Sequence, residues 1–150
     1  MAHHGRYQVR NRDKYKGKVD KVEYRSGWEY QFMNWCDSNP DIKQWSSEEV
    51  IIPYFSSADG KNRRYFMDFW VRFKTGEQYI FEVKPHKETE LPRPPKRKTK
   101  KSEMRLLKEI YTYKVNRDKW NAAAKYAKER GWKFKVLTEV SLKPMIGLIV

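Results

Sequence analysis

Two carboxylates and a lysine stand among side chains that have no packing use for charge. The stretch QYIFEVKP (78–85) reads as a β-strand. Side chains alternate across a strand, so Glu82 and Lys84 share one face while Phe81 and Val83 take the other. Asp68 interrupts YFMDFWV in the same way, at the middle of a run of large apolar side chains. An ionised carboxylate in such surroundings costs free energy unless it is paired or coordinates a cation. Two antiparallel strands joined by a short hairpin bring Asp68 and Glu82 to one sheet face. Carboxylates that close repel each other, and a divalent cation is the natural counter-charge. Oxygen-only ligands suit Mg²⁺ or Mn²⁺, which bind through a few carboxylates and keep waters for a substrate phosphate. Lys84 follows Glu82 by about 7 Å along the strand. An ammonium there orients an attacking water or stabilises the added negative charge of a phosphodiester transition state. The competing reading is a buried ionic cluster, in which the acids pair with Arg25, Arg63 or Lys84.

The elements that must position these residues follow from periodicity. SGWEYQFMNWCD turns helical, with Trp28, Phe32 and Trp35 at i, i+4 and i+7, Ser26 as N-cap and the run from Asp37 to Pro40 as its stop. EEVIIPYF (48–55) reads as a strand, and Pro53 suggests an edge or a bulge. RYFMDFWVRF (64–73) reads as a second strand, and Thr75-Gly76 as a tight hairpin into the third. After a proline-rich loop over 85–103, the spacing predicts one helix from about Ser102 to Thr112. A second is expected from Asn116, as cap, to Gly131 as the C′ residue. WKFKVLTEV (132–140) alternates as a fourth strand. The expected fold is α/β: a three-strand antiparallel meander plus a crossover strand parallel to one of them, flanked by helices. Trp120, Ala123, Ala124 and Ala127 read as core, and the apolar end MIGLIV as packed on the domain, with docking to a partner as its second reading.

Charge narrows the partner. Among 150 residues, 33 Lys and Arg outweigh 19 Asp and Glu, for a net charge of +14. That balance points to a polyanion, nucleic acid first and an anionic membrane surface second. Aromatics at 15% supply a core despite a mean hydropathy of −1.00. Cys36 stands alone, which excludes an intrachain disulfide and a cysteine-based zinc site. The start has no apolar run of a secretory signal, and no stretch has transmembrane length, so a soluble protein is expected. Residues 1–21 form a basic arm with little internal structure, preceding a single domain over 22–150. Arg6, Arg10, Arg12, Lys14 and Lys16 of the arm, and Lys96, Arg97, Lys98, Lys100 and Lys101 of the loop, are the candidate phosphate contacts.

The order of Asp68, Glu82 and Lys84, with their strand context, resembles the PD-(D/E)xK nuclease superfamily. Its core is a mixed sheet flanked by helices, with the Asp on the second core strand and E-x-K on the third. The proline that usually precedes the Asp is absent here, and Met67 stands in its place. Members often add a glutamate from the preceding helix, and Glu29 of YRSGWE matches it. Ser26-Gly27-Trp28-Glu29 is equally a helix-capping box. YRSGWE, MDF and FEVKP look like the branch that contains TnsA-type transposase endonucleases. The whole chain resembles the small head completion nucleases of T-even-type tailed phages, through YRSGWE, WSSEEVIIPYF and DGKNRRYFMDF.

The resemblance implies a Mg²⁺-dependent (or Mn²⁺-dependent) DNA endonuclease. Glu29, Asp68, Glu82 and the Val83 carbonyl would hold metal, and Lys84 would act on the water or the transition state. It implies action on packaged DNA ends, or closure of the filled head before tail joining, with phage head and neck proteins as partners. The host cytoplasm is the expected place, the virion a second. The other hypothesis is a structural DNA-binding head-closure protein whose nuclease face is silent or restrained. Outside this set, Glu48 and Glu49 read as strand edge, with one of them able to face the site. His86 reads as a loop histidine within reach of phosphate, His3 and His4 as tail residues, and Lys119 and Lys125 as facing DNA or solvent.

Overall fold

A computed structural model describes residues 4–148. In chain order its elements are β1 (Gly5–Arg6), β2 (Glu23–Tyr24), α1 (Gly27–Ser38), β3 (Ile42–Ser47), β4 (Ile51–Ser56) and β5 (Lys61–Phe66). After them come β6 (Phe69–Phe73), β7 (Gln78–Val83), α2 (Lys100–Glu129), β8 (Lys133–Leu137) and α3 (Glu139–Ile146). The central sheet runs β3-β6-β7-β8, antiparallel except for the β7–β8 pair, which is parallel as the crossover requires. One face packs on α1 and α3 through Phe32, Phe69, Val71, Phe81, Val83 and Leu142. The other carries Trp70 and Ile80 against Ala123 and Ala127 of α2 and against Ile52 and Tyr65 of a separate β4–β5 ribbon. This is the mixed α/β architecture expected, and β7 is buried on both sides, so its charged face must be specially accommodated.

The strands depart from expectation in two places. The apolar run 64–73 is not one strand. Its first part pairs with β4 in the ribbon, its second with β3 and β7 in the central sheet, and Met67-Asp68 is the crossing point. There Met67 donates its N–H to the Val50 carbonyl, and Glu48 donates to the carbonyls of Met67 and Asp68. The meander expected over 48–83 is therefore split between two sheets. The third antiparallel strand of the central sheet is β3, which the sequence reading passed over. Ile42 and Trp45 are spaced by three, wrong for a strand face. A bulge puts Ile42 opposite Phe73 and Gln44 opposite Arg72, which returns Trp45 to the buried side.

Helices differ as well. Residues 113–116 contain neither Pro nor Gly, and Asn116 is a buried residue inside one continuous 30-residue helix, not a cap. The cap is Thr99, whose side chain accepts the Ser102 N–H at 3.1 Å. Gly131, at φ 72°, does end the helix as predicted. All buried residues of α2 lie from Asn116 onward. Ala124 is exposed, unlike Trp120, Ala123 and Ala127. The tail forms α3, and Leu142 and Leu148 are core; the last two residues of MIGLIV lie outside the described residues.

The N-terminal segment is not the unstructured arm expected. Tyr7, Tyr15 and Val22 are buried in the α1-side core, and β1 pairs with β2. Buried Asp37 of α1 accepts from the Tyr7 hydroxyl (3.0 Å), the Arg10 N–H (2.8 Å) and the Asn11 N–H (3.0 Å). Lys14 Nζ donates to the carbonyls of Cys36, Asp37 and Asn39, closing the C-terminus of α1 with a cation. His3 lies outside the described residues, and His4 is exposed. Among the described residues no helix is long and apolar enough to cross a membrane.

Candidate active site

Strand pairing brings the sequence-predicted acids together. Phe69 of β6 stands opposite Phe81 of β7, so the next residue outward on each strand is Asp68 and Glu82. Asp68 sits at the bend just before β6 instead of at mid-strand, and its Oδ2 accepts the Val83 N–H at 2.9 Å. Because β7 ends at Val83, that amide is free to take a side-chain acceptor. Glu82 points to the α2 side, opposite Phe81 and Val83, as alternation requires. It is buried, and its Oε2 accepts two hydrogen bonds, from Trp120 Nε1 at 2.7 Å and from the Tyr65 hydroxyl. Its Oε1 lies 3.8 Å from Lys84 Nζ, an ion pair without a hydrogen bond. Lys84 is half-buried and anchored by its N–H on the Leu137 carbonyl at 2.9 Å.

Electrostatics follow from this packing. Burial and the nearby charge of Glu82 push Asp68 up to about 8, against the pull of the Val83 N–H and of Lys84. Tyr65 is raised by burial and by the carboxylate it serves. Two acids this close, one held away from its ordinary ionisation, form a site short of positive charge. A cleft of about 540 Å³ opens over them, lined by Asp68, Glu82 and Lys84 together with the cations Arg25, Arg64 and Lys119. A larger groove of about 930 Å³ runs between the 85–95 loop and the first half of α2, away from the acids.

The remaining predicted residues divide. Glu29 is the third residue of α1; Ser26 Oγ accepts its N–H at 3.1 Å, and its Oε1 accepts from the Arg25 N–H at 3.3 Å. The cap thus forms from the serine side, but the glutamate returns to Arg25 and not to Ser26. Glu29 does not line the cleft, yet its charge is felt at Asp68, and burial raises its own pKa. Among the described residues no three His, Cys, Asp or Glu side chains stand close enough to hold a metal ion by themselves. Two carboxylates fit a hard divalent ion, which takes its other ligands from water and substrate oxygens. His86 is drawn off by Glu139, which accepts its N–H at 2.7 Å, and by Glu90, 3.0 Å from its Nε2. Arg12 pairs with Asp20 at 3.1 Å, and Lys14 serves α1, whereas Arg6, Lys16, Lys96, Arg97, Lys98, Lys100 and Lys101 are exposed.

Arg64, Tyr65 and Phe66 line the cleft without having been read from the sequence as members of the site, and Trp120, which holds Glu82, signalled only core. Of the two glutamates of which one was able to face the site, Glu48 is the one that lines the cleft. Glu48 reaches the rim, where its Oε1 pairs with Arg25 Nη1 at 2.9 Å. Its φ of 57°, a left-handed conformation that L side chains rarely adopt, was invisible in the sequence. Phe66, beside Arg64, read as an ordinary strand residue.

Residues 39–139 match the family model described as TnsA-like endonuclease N terminal. Over 145 residues, 97% of each chain, the sequence is 46% identical to the head completion nuclease of Enterobacteria phage T4. The segment matched by the model spans β3 to β8 and so contains Asp68, Glu82, Lys84 and the elements that hold them. By that match and by its relationship to the phage enzyme along nearly its full length, the chain belongs to the TnsA-like endonuclease family.

Proposed function

We propose that this protein is a Mg²⁺-dependent (or Mn²⁺-dependent) DNA endonuclease of the PD-(D/E)xK type, acting in phage head completion after packaging. The observation that carries the reading is a pair of acids held from one side. Fixed donors meet one oxygen of each, Asp68 Oδ2 from the Val83 N–H and Glu82 Oε2 from Trp120 and Tyr65. Glu82 Oε1 has Lys84 at 3.8 Å, and both acids line a cleft of cations. Asp68 and Glu82, with the Val83 carbonyl and Glu29 in support, would hold the divalent ion, which supplies counter-charge to the acids and to the substrate phosphate. Lys84 Nζ donates an N–H hydrogen bond to the attacking water or to a non-bridging phosphate oxygen. Trp120 and Tyr65 both donate to one carboxylate oxygen of Glu82 and so hold the carboxylate in place from the α2 and ribbon sides. Arg25, Arg64 and Lys119 take the flanking phosphates, and the exposed cations of 96–101 extend the track.

The substrate is double-stranded DNA or its ends, the partners are head and neck proteins of the virion, and the place is the host cytoplasm and the assembled particle. Plasmid cleavage with Mg²⁺ or Mn²⁺ tests this. Cation-dependent cutting by the wild type should disappear in Asp68→Ala and in Lys84→Ala. Cutting that survives both changes means that the chemistry lies elsewhere. A wild type that binds DNA and never cuts is a head-closure protein with a silent nuclease face.

A further inference from the structure

We infer that the outward face of the β4–β5 ribbon stacks unpaired bases beside the cut, so that the preferred substrate is DNA with single-stranded nucleotides at an end or junction. The inference rests on the nuclease reading and names its substrate class. Alternation gives the ribbon two faces. Ile52, Tyr54 and Tyr65 point inward and are buried. Ile51, Phe55 and Phe66 point outward, 43%, 58% and 41% exposed. Ile51 stands opposite Phe66 and Pro53 opposite Arg64, so these side chains form one continuous strip. A strip of bare aromatic and aliphatic surface is out of place on a chain of net charge +14 unless something covers it.

Its position says what does. Phe66 is a wall of the cleft that contains Asp68, Glu82 and Lys84, and it precedes Asp68 by two residues. The Arg64 guanidinium lies 5.5 Å from the Phe66 ring centre, and Lys119 lines the same cleft as Phe66. Cations interleaved with aromatic faces are how proteins hold single strands: the cations follow the phosphates and the rings take the bases. A base within intact duplex is already stacked on its neighbours and offers no free face to a phenyl ring. Only an unpaired base does. A second copy of the chain would cover the apolar strip, but a copy with the same positive charge has no match for the cations that adjoin it.

The test offers one DNA sequence in three forms: continuous duplex, the duplex with a single-stranded overhang, and the duplex with an internal gap. Cleavage with Mg²⁺ gives the ratio of rates on unpaired-containing to continuous DNA. Fluorescence anisotropy with the Asp68→Ala protein gives the same ratio for binding. Base stacking predicts a ratio of about tenfold or more for the wild type. Phe66→Ala should bring it towards one, Phe66→Trp should restore it, and Phe55→Ala should lower it less. A wild-type ratio near one in both readouts, or a full ratio in Phe66→Ala, overturns the inference. Absence of cleavage with a preserved binding ratio supports the stacking face and sinks the nuclease reading. Sedimentation that shows self-association lost in Phe55→Ala and Phe66→Ala, with no DNA preference, overturns the inference and assigns the strip to a second copy.

Discussion

Asp37 and Glu82 are both sealed inside the protein, at 0% and 4% exposure, and they are held in opposite ways. Asp37 has both oxygens engaged, Oδ2 by the Tyr7 hydroxyl and the Arg10 N–H, Oδ1 by the Asn11 N–H. Nothing of its acceptor capacity faces outward, and it fastens the N-terminal segment to α1. Glu82 has both donors on Oε2 and turns Oε1 toward the cleft, with only Lys84 at 3.8 Å. Asp68 beside it follows the same pattern, with Oδ2 on Val83. A buried acid is costly in either place. Where its neighbours satisfy it completely, it stabilises the fold. Where they satisfy half of it and a second acid adjoins, the fold leaves the half-open pair of acids on which the proposed cation and substrate site rests.

Removing the half-satisfied acid should separate the two classes most sharply. Glu82→Gln is expected to lower plasmid cleavage by on the order of 10²–10³-fold or more, with melting temperature nearly unchanged. A mutant that cuts as well as the wild type would dissolve the distinction between the two acids. Asp37→Ala should do the reverse. It strands buried donors and costs roughly 3 kcal/mol, a melting temperature lower by roughly 6–12 °C by calorimetry. Cleavage per folded molecule should stay within about twofold.

Trp120→Phe keeps the ring and removes one donor from Glu82. About a tenfold loss of rate is expected, with a raised cation requirement in a Mg²⁺ titration, on the scale of one charged hydrogen bond. An unchanged Mg²⁺ midpoint would make Trp120 a packing residue only. The smallest effect concerns pH. The folded-state pKa of Asp68, about 8, lies above the ordinary carboxylate value, so the folded protein binds that proton more tightly than the unfolded chain. Its contribution to stability is complete below about pH 4 and is lost as pH rises through about 8. Asp68→Asn should therefore melt several degrees above the cation-free wild type at pH 9, with the gap closing progressively as pH falls through about 8 and nearly gone at about pH 4. Equal gains at both pH values would show that burial, with the charge of Glu82 beside it, does not hold a proton on Asp68.

Legibility in the sequence followed the range of the interaction. The facing of Glu82 and Lys84 against Phe81 and Val83 was readable because alternation depends on adjacent residues alone. The Ser26 cap of α1 and the end of α2 at Gly131 were readable for the same reason. β3 was not, since Ile42 and Trp45 share a face only through a bulge that exists in the pairing with β6. The run 64–73 looked like one strand because apolarity is continuous through Met67-Asp68, while its two parts belong to different sheets. The basic N-terminal segment looked like a free arm because its positive charge is local and the acceptors that bind it, Asp37 and the end of α1, are more than twenty residues away.

By itself, the sequence determined the chemistry on offer: two acids and a lysine set in apolar strands, a large positive charge, and a fold class that alternates sheet and helix. Those properties reside in residue types and short spacings. Tertiary structure alone decided which oxygens remain free, because that depends on the amide at the end of β7, a phenol from the ribbon and an indole from α2. It also decided that Phe66 faces the cleft instead of the core. These are contacts between elements far apart in the chain, and no local period encodes which of them meet.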